Sequence, residues 1–207
     1  ARVLYAPDFG VPQSRERVIF FGFRKDLLTV AALEALTAAN IPEKYNPYPS
    51  PTHGNNLLPY VTCADALIDL QEPEKSSDLS QQKYSQCKYM GRHCQGQTEI
   101  KLNSVGPTIR SEHHGNIEFR RLSAEHGGTH TEELESGLQE RRLTVRECAR
   151  IQTFPDDYQF ILKATSDNVA VSASDAYKII GNAVPCVLAY NIAKNIEEKW
   201  HLYFKEK

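Results

Sequence analysis

The apolar pattern is regular near both ends of the chain and fades between them. Arg2-Val3-Leu4-Tyr5-Ala6 is a short apolar run that predicts a strand, and Asp8-Phe9-Gly10-Val11-Pro12 carries turn chemistry. Residues 18–23 form a continuous run of branched and aromatic side chains. Such a run predicts a strand buried on both faces, as in a parallel sheet. Asp26 is placed to cap an Ala/Leu-rich helix reaching about Asn40. A strand followed by a helix fits the end of a doubly wound α/β fold.

The pattern breaks at residues 41–60, where Pro42, Pro47, Pro49, Pro51 and Pro59 interrupt any regular element. Residues 72–105 are polar and show no periodicity. Residues 106–122 read as strand and turn, and residues 124–137 as loop. Order returns at Arg141. Thr144 and Glu147 have the spacing of a capping box, for a helix that ends before Pro155. Ser174 is a candidate cap for a helix through Ile180, with Gly181 at its C-terminal stop. Beyond Pro185, Leu188, Ala189, Ile192, Ala193, Ile196 and Trp200 follow helical spacing and predict an amphipathic helix with one face on a core. This alternation predicts a loop-rich unit (51–140) inserted between the end of an α/β domain (1–50) and a return segment (141–207).

Composition changes this picture little. The 207 residues are 41% hydrophobic and 24% charged, enough for a core of ordinary size. With 24 Lys+Arg against 26 Asp+Glu the net charge is −2, so nucleic-acid contact would have to come from local basic clusters. The apolar runs are too short to predict a membrane span. Five cysteines without a C-x-x-C pair predict reduced thiols and no metal centre. The start without Met, inside a strand-like run, predicts a fragment, a cleaved chain or a chain with further parts.

The first chemical signal is Gln13-Ser14-Arg15-Glu16-Arg17, placed directly before the second strand. Two arginines at i and i+2 on an extended segment point the same way, and forked guanidinium donors suit a phosphate or a base carbonyl. The competing reading is a surface pair bonded to Glu16 and Asp8.

Longer motifs weigh on that choice. Residues 9–20, which contain Gln13-Ser14-Arg15-Glu16-Arg17, resemble the Gln-x-Arg-x-Arg motif of the DNA (cytosine-5) methyltransferases. Arg142-Leu143-Thr144-Val145-Arg146-Glu147-Cys148-Ala149-Arg150-Ile151-Gln152-Thr153-Phe154-Pro155-Asp156-Asp157-Tyr158 resembles the penultimate motif of that family. Tyr177-Lys178-Ile179-Ile180-Gly181-Asn182-Ala183-Val184-Pro185 resembles the last. The three matches stand in the family's order with a variable segment after the first.

The resemblance implies a doubly wound S-adenosylmethionine-dependent methyltransferase fold with an inserted target recognition domain. It implies methyl transfer to C5 of a cytosine flipped out of double-stranded DNA, in a restriction–modification system of the bacterial cytoplasm. It gives Arg15 and Arg17 to the flipped-base pocket, and Asn182, Ala183 and Val184 to the methionine end of the cofactor. It gives Gln13, Thr108, Arg110, His113, Asn116, Arg120 and Arg121 to DNA contact. Thr144, Glu147 and Arg150 have a structural part. The recognition region resembles those of enzymes acting on G/C-rich palindromes.

The family's nucleophilic Pro-Cys-Gln, its Glu-Asn-Val and its glycine-rich cofactor loop do not occur here. Cys186 and Cys94 stand in the wrong contexts to replace the nucleophile. This predicts that the chain alone is inactive and needs an N-terminal part, on the same or another chain. The alternatives are a non-catalytic DNA-binding or regulatory subunit, or a tRNA cytosine-5 methyltransferase.

Overall fold

The computed structural model describes residues 1–111, 116–163 and 169–205. The chain opens with an antiparallel pair, β1 (Arg2–Tyr5) and β2 (Glu16–Ile19), in which Val3 faces Val18 and Leu4 faces Arg17. Side chains alternate across the two faces of such a pair. Leu4 is buried, whereas Val3 and Val18 are each 54% exposed and Phe20 77%. The expected strand buried on both faces is therefore half-covered. An apolar run reports what a strand can pack against on each side, and here one side has no neighbour.

Helix α1 (Val30–Thr37) is shorter than expected and has a different cap. Thr29 Oγ1 accepts from the Ala32 N–H at 3.1 Å. Asp26 lies in a preceding 3₁₀ turn and pairs with Arg24 at 2.6 Å. Helix α2 (Cys63–Leu67) begins with a capping box made by Thr62 and Asp65. The polar middle holds only short elements: α3 (Leu79–Gln82), β3 (Phe119–Arg121) and α4 (Thr131–Glu135). The stretch read as loop thus contains a 3₁₀ turn (Ala124–His126) and α4, both too brief to leave a period in the sequence. Glu133 on α4 is tied to Arg120 and Arg121, so tertiary ion pairs hold that turn in place.

Strand β4 (Arg141–Arg142) pairs antiparallel with β3, and α5 (Val145–Ile151) follows with the expected Thr144–Glu147 capping box. Helix α6 (Ala173–Asn182) is capped by Ser172 with Asp175, not by Ser174. It runs past Ile180 through Asn182, which puts Gly181 inside the helix and not at its stop. Helix α7 (Cys186–Glu198) and the turn α8 (Trp200–Tyr203) complete the chain. Leu188 of α7 is fully buried, while Trp200 remains 57% exposed, so the C-terminal apolar stripe is covered only in part.

Among the described residues the sheets are two antiparallel pairs, and the architecture is mixed α/β. The parallel sheet expected from residues 18–23 does not form within them. Parallel strands need a crossover connection between them, whereas β1 and β2 are joined by a tight return.

Three apolar clusters form the core. The largest joins α2, α5 and α6 with Ile100, Ile109 and Ile117. A second joins Leu4, Ala6, Phe9 and Val11 to Leu188, and a third joins Leu28, Ala32 and Ala35 to Tyr45 and Tyr203. The loop-rich middle and α5–α6 therefore share one core, while the N-terminal hairpin packs on α7.

A buried charge network adjoins the first cluster. Arg141 pairs with Glu147 at 2.8 Å and with Glu72 at 3.1 Å, and Glu72 also pairs with Arg121 at 2.5 Å. Burial alone would raise the Glu147 carboxyl. Hydrogen bonds and charge from Arg141, with the Thr144 N–H, outweigh it and hold that carboxyl below its ordinary value.

Candidate functional site

Three distant stretches of sequence meet at Arg15. Its side chain is 1% exposed. Nη1 donates to Gln13 Oε1 at 3.2 Å and to the Ile109 carbonyl at 2.8 Å. Nη2 donates to the carbonyls of Gly181 at 2.5 Å and Ala183 at 2.9 Å. Nε is buried with no partner. Burial and then the neighbouring Arg17 charge push the guanidinium down to about 10. The backbone supports this crossing: the Ser14 N–H donates to the Gly106 carbonyl at 2.7 Å, and the Thr108 hydroxyl donates to the Ser14 carbonyl.

Gly181 has a steric role. A Cβ there would stand 2.3 Å from the Arg110 carbonyl carbon and the Ser111 nitrogen. The missing side chain lets α6 approach the 106–111 segment closely enough for Arg15 to reach both.

Above this junction lies a cleft of about 450 Å³ lined by Arg15, Arg17, Thr108, Ile109, Arg110, Ser111, Gly181 and Asn182. Arg17 is half-buried and donates to the Glu16 carbonyl at 2.7 Å. Burial lowers its pKa. The reading of Arg15 and Arg17 as a surface pair bonded to Glu16 and Asp8 fails. Arg15 is enclosed, and Asp8 accepts from the Tyr60 hydroxyl at 3.0 Å. Arg15 organises backbone, while Arg17, Arg110 and the exposed Asn182 amide present donors to the cleft. Forked cations and an amide around a recess suit a flat polar group or an anion.

The sequence model of the C-5 cytosine-specific DNA methylases matches residues 1–198. The chain belongs to that family. It is 34% identical to the type II methyltransferase M.BspRI of Lysinibacillus sphaericus over 100% of this chain and 45% of that protein. It is 34% identical to M.BsuRI of Bacillus subtilis, covering 99% and 43%. It is 31% identical to M.MthTI of Methanothermobacter thermautotrophicus, covering 95% and 55%. The chain thus spans about half the length of these methyltransferases.

The residues that the family resemblance gives to DNA contact sit in different surroundings. Gln13 is fully buried. Its Nε2 donates to Gln152 Oε1 at 2.5 Å and its Oε1 accepts from the Ile109 N–H at 3.0 Å. Arg121 is 1% exposed and bonded to Glu72 and Glu133. Arg120 donates to Glu133 at 2.8 Å and is mostly covered. Carboxylates folded back from 72 and 133 convert what reads as a basic patch into internal ion pairs. Thr108 and Arg110 do line the cleft. Asn116 is half-buried with its backbone against Gly96. His113 lies outside the described residues.

The cofactor segment is also changed in detail. Asn182 and Val184 are exposed. The Ala183 N–H donates to the Ile180 carbonyl at 3.2 Å, and its own carbonyl accepts from Arg15 and Gln152. Both backbone groups of Ala183 are thus engaged within the chain, because the helix continues two residues further than expected.

Two important residues lie within the second motif but were given no role by it. Gln152 ties α5 to Gln13 and to the end of α6. Arg142, fully buried, donates to the carbonyls of Cys87 at 2.8 Å, Gly96 at 2.7 Å and Ile117, with its guanidinium 4.0 Å from the Phe119 ring centroid. A buried glutamine and a surface one read alike until their partners are placed.

Cys63, Cys148 and Cys186 lack a catalytic setting. Burial raises the Cys63 thiol to about 11 and raises those of Cys148 and Cys186. A nucleophile needs the thiolate, which these settings disfavour. Among the described residues no helix is long and apolar enough to cross a membrane.

Proposed function

We propose that this chain is the C-terminal part of an enzyme that methylates C5 of cytosine in double-stranded DNA. Its biological setting is the modification half of a restriction–modification system, in the bacterial cytoplasm. The observation that carries the reading is the cleft where Arg17, Arg110, Thr108 and Asn182 meet around the buried Arg15. In this reading Arg17 donates to the carbonyl of an extruded cytosine, a base that must leave the stack to be reached. Arg15 holds the floor of that cleft by fixing Gly181, Ala183 and Ile109. Arg110 and Thr108 stand at the DNA-facing rim.

S-adenosylmethionine, implied by the family, would supply the methyl group when bound. The residues fit one wall of its site. The open Asn182 amide can donate to a carboxylate, and Val184, 41% exposed, offers apolar surface beside it. The nucleophilic cysteine comes, on this proposal, from sequence outside these 207 residues. So do the partner strands that complete a doubly wound sheet over Val3, Val18 and Phe20. Residues 1–50 then close the catalytic domain, 51–140 form the inserted recognition domain, and 141–207 return to the catalytic domain and carry the seat on which that inserted domain rests.

The test is transfer of labelled methyl from S-adenosylmethionine to cytosine in duplex DNA by the full-length protein that carries this chain. Transfer that falls at least ~100-fold in Arg17→Ala supports the proposal, since a charged donor on the reacting base contributes on this scale. Transfer unaffected by that change, or none by the wild type, overturns it. The 207-residue chain alone is expected to transfer nothing.

A further inference from the structure

The cleft and the cofactor wall are built from different parts of the chain, and a single side chain joins them. Gln152 closes α5 and is fully buried. Its Oε1 accepts from Gln13 Nε2 at 2.5 Å, and its Nε2 donates to the carbonyls of Ile180 and Ala183, each at 2.8 Å. Gln13 Oε1 in turn accepts from the Ile109 N–H at 3.0 Å and from Arg15 Nη1 at 3.2 Å. Arg15 then returns to Ala183, whose carbonyl it shares with Gln152.

The circuit fixes the sense of both amides. Gln152 must turn its NH₂ toward the two helix-end carbonyls, which leaves its oxygen for Gln13. Gln13 must then turn its own NH₂ toward Gln152 and its oxygen toward Ile109 and Arg15. A flip at either position would face donor to donor or acceptor to acceptor in a buried site. The next residue, Thr153, has φ +63° and gives its hydroxyl oxygen to the Val187 N–H at 3.0 Å. Gln152 therefore sits at a chain reversal held from both sides.

We infer that Gln152 is a positioning residue that couples the 108–110 rim of the cleft to the 180–184 cofactor wall through the Gln13 amide and the Arg15 guanidinium. It does not line the cleft and acts only through those two side chains. The inference rests on the methyltransferase reading for its functional consequence, but the relay itself does not. Ligand at one end is expected to tighten the other, and such coupling is reciprocal.

The experiment uses the full-length protein with Gln152→Met and Gln152→Glu. The first keeps the volume and removes both polar ends. The second keeps the oxygen that accepts from Gln13 and removes the donors to Ile180 and Ala183. Residue-resolved amide exchange reads the Ile109 N–H, which Gln152 does not touch. Binding of S-adenosylhomocysteine, with and without duplex DNA, reads the other end.

Gln152→Met is expected to speed Ile109 exchange and to weaken S-adenosylhomocysteine binding, each by about tenfold, as for the loss of a buried hydrogen bond. It should also abolish the effect of DNA on that binding. Gln152→Glu should weaken the binding with little change at Ile109. Where Gln152→Met fails to fold, Gln13→Met replaces it; that change removes the Ile109 acceptor directly, so the tenfold loss of S-adenosylhomocysteine binding at the far end is then the deciding readout, and unchanged binding overturns the inference. Unchanged Ile109 exchange in the methionine variant, or a fall in melting temperature with both binding constants intact, overturns the inference. Wild-type protein that binds no S-adenosylhomocysteine would overturn the methyltransferase reading instead, and Ile109 exchange would still decide the relay.

Discussion

Replacing Arg15 by Lys tests whether this residue is a structural fork or only a positive charge. The guanidinium serves four oxygens in two directions, Gln13 Oε1 and the Ile109 carbonyl on one side, the Gly181 and Ala183 carbonyls on the other. An ammonium is a single point and cannot span them. Two of the four keep another donor: Gln13 Oε1 has the Ile109 N–H, and the Ala183 oxygen has Gln152. Among the described residues the Ile109 and Gly181 oxygens are left without one. Two orphaned buried acceptors cost about 3 kcal/mol together. For a chain of this length that lowers the melting temperature by about 10 °C. Thermal unfolding followed by circular dichroism, with Arg17→Lys as the contrast, measures it. Arg17 has one backbone acceptor and is half-exposed, so its change should be about 1 kcal/mol or less. An Arg15→Lys variant that melts with the wild type, or no lower than Arg17→Lys, would refute the assignment of Arg15 to the floor of the cleft.

Other consequences are equally direct. Gly181→Ala, which in an ordinary helix interior would stabilise by about 1 kcal/mol, should here destabilise by about 2 kcal/mol, because the added carbon meets the backbone of Arg110 and Ser111. Chemical denaturation gives the sign. Glu147 is held below the ordinary carboxyl value of 4.5, so its contribution to stability is present above that pH and is lost as pH falls through the lower folded value. Unfolding free energy measured down an acid series should fall less steeply in Glu147→Gln, from a lower starting point. Glu118 is the opposite case: burial raises its carboxyl, and Glu118→Gln should raise the melting temperature at neutral pH, with the gain shrinking in acid. Cys63 and Cys148, fully buried, should resist a thiol reagent until the protein unfolds, as timed labelling with mass analysis will read.

The sequence was most legible where chemistry is local. The Thr144–Glu147 box needs two residues three apart, and it forms as read. The boxes at Thr62 and Ser172 obey the same rule, and the second shows how a single-position error arises. Ser172 and Ser174 are both competent caps, and only the presence of Asp175 three residues after Ser172 decides between them. Gly181 was misread for a related reason. A glycine after an apolar stretch is a common helix stop, but the same residue serves where a second backbone must come close, and that backbone lies 70 residues away. The arginines divide along the same line. Arg15, Arg120 and Arg121 are indistinguishable from Arg17 and Arg110 in sequence, and burial against distant carboxylates or carbonyls is what separates them.

That division says how the molecule reconciles a loop-rich middle with a precise site. The elements between residues 63 and 142 are short, and elements of one or two turns have little stability of their own. Apolar packing supplies much of the energy through one shared cluster. Direction comes from buried polar groups, each with several partners: Arg142 gathers four loop carbonyls, Arg141 and Arg121 converge on Glu72, and Gln13 with Gln152 joins three motifs. Buried charge pairs are an inefficient source of stability compared with apolar packing of equal volume. Their angular demands, however, leave few ways to seat a loop. A loop-rich middle held at Arg142, Arg141 and Gln13 can vary between those points while the cleft floor keeps its shape. The arrangement also fixes where change is tolerated: substitutions that keep the donors and acceptors at these anchors should preserve the cleft even when the intervening loops are rewritten.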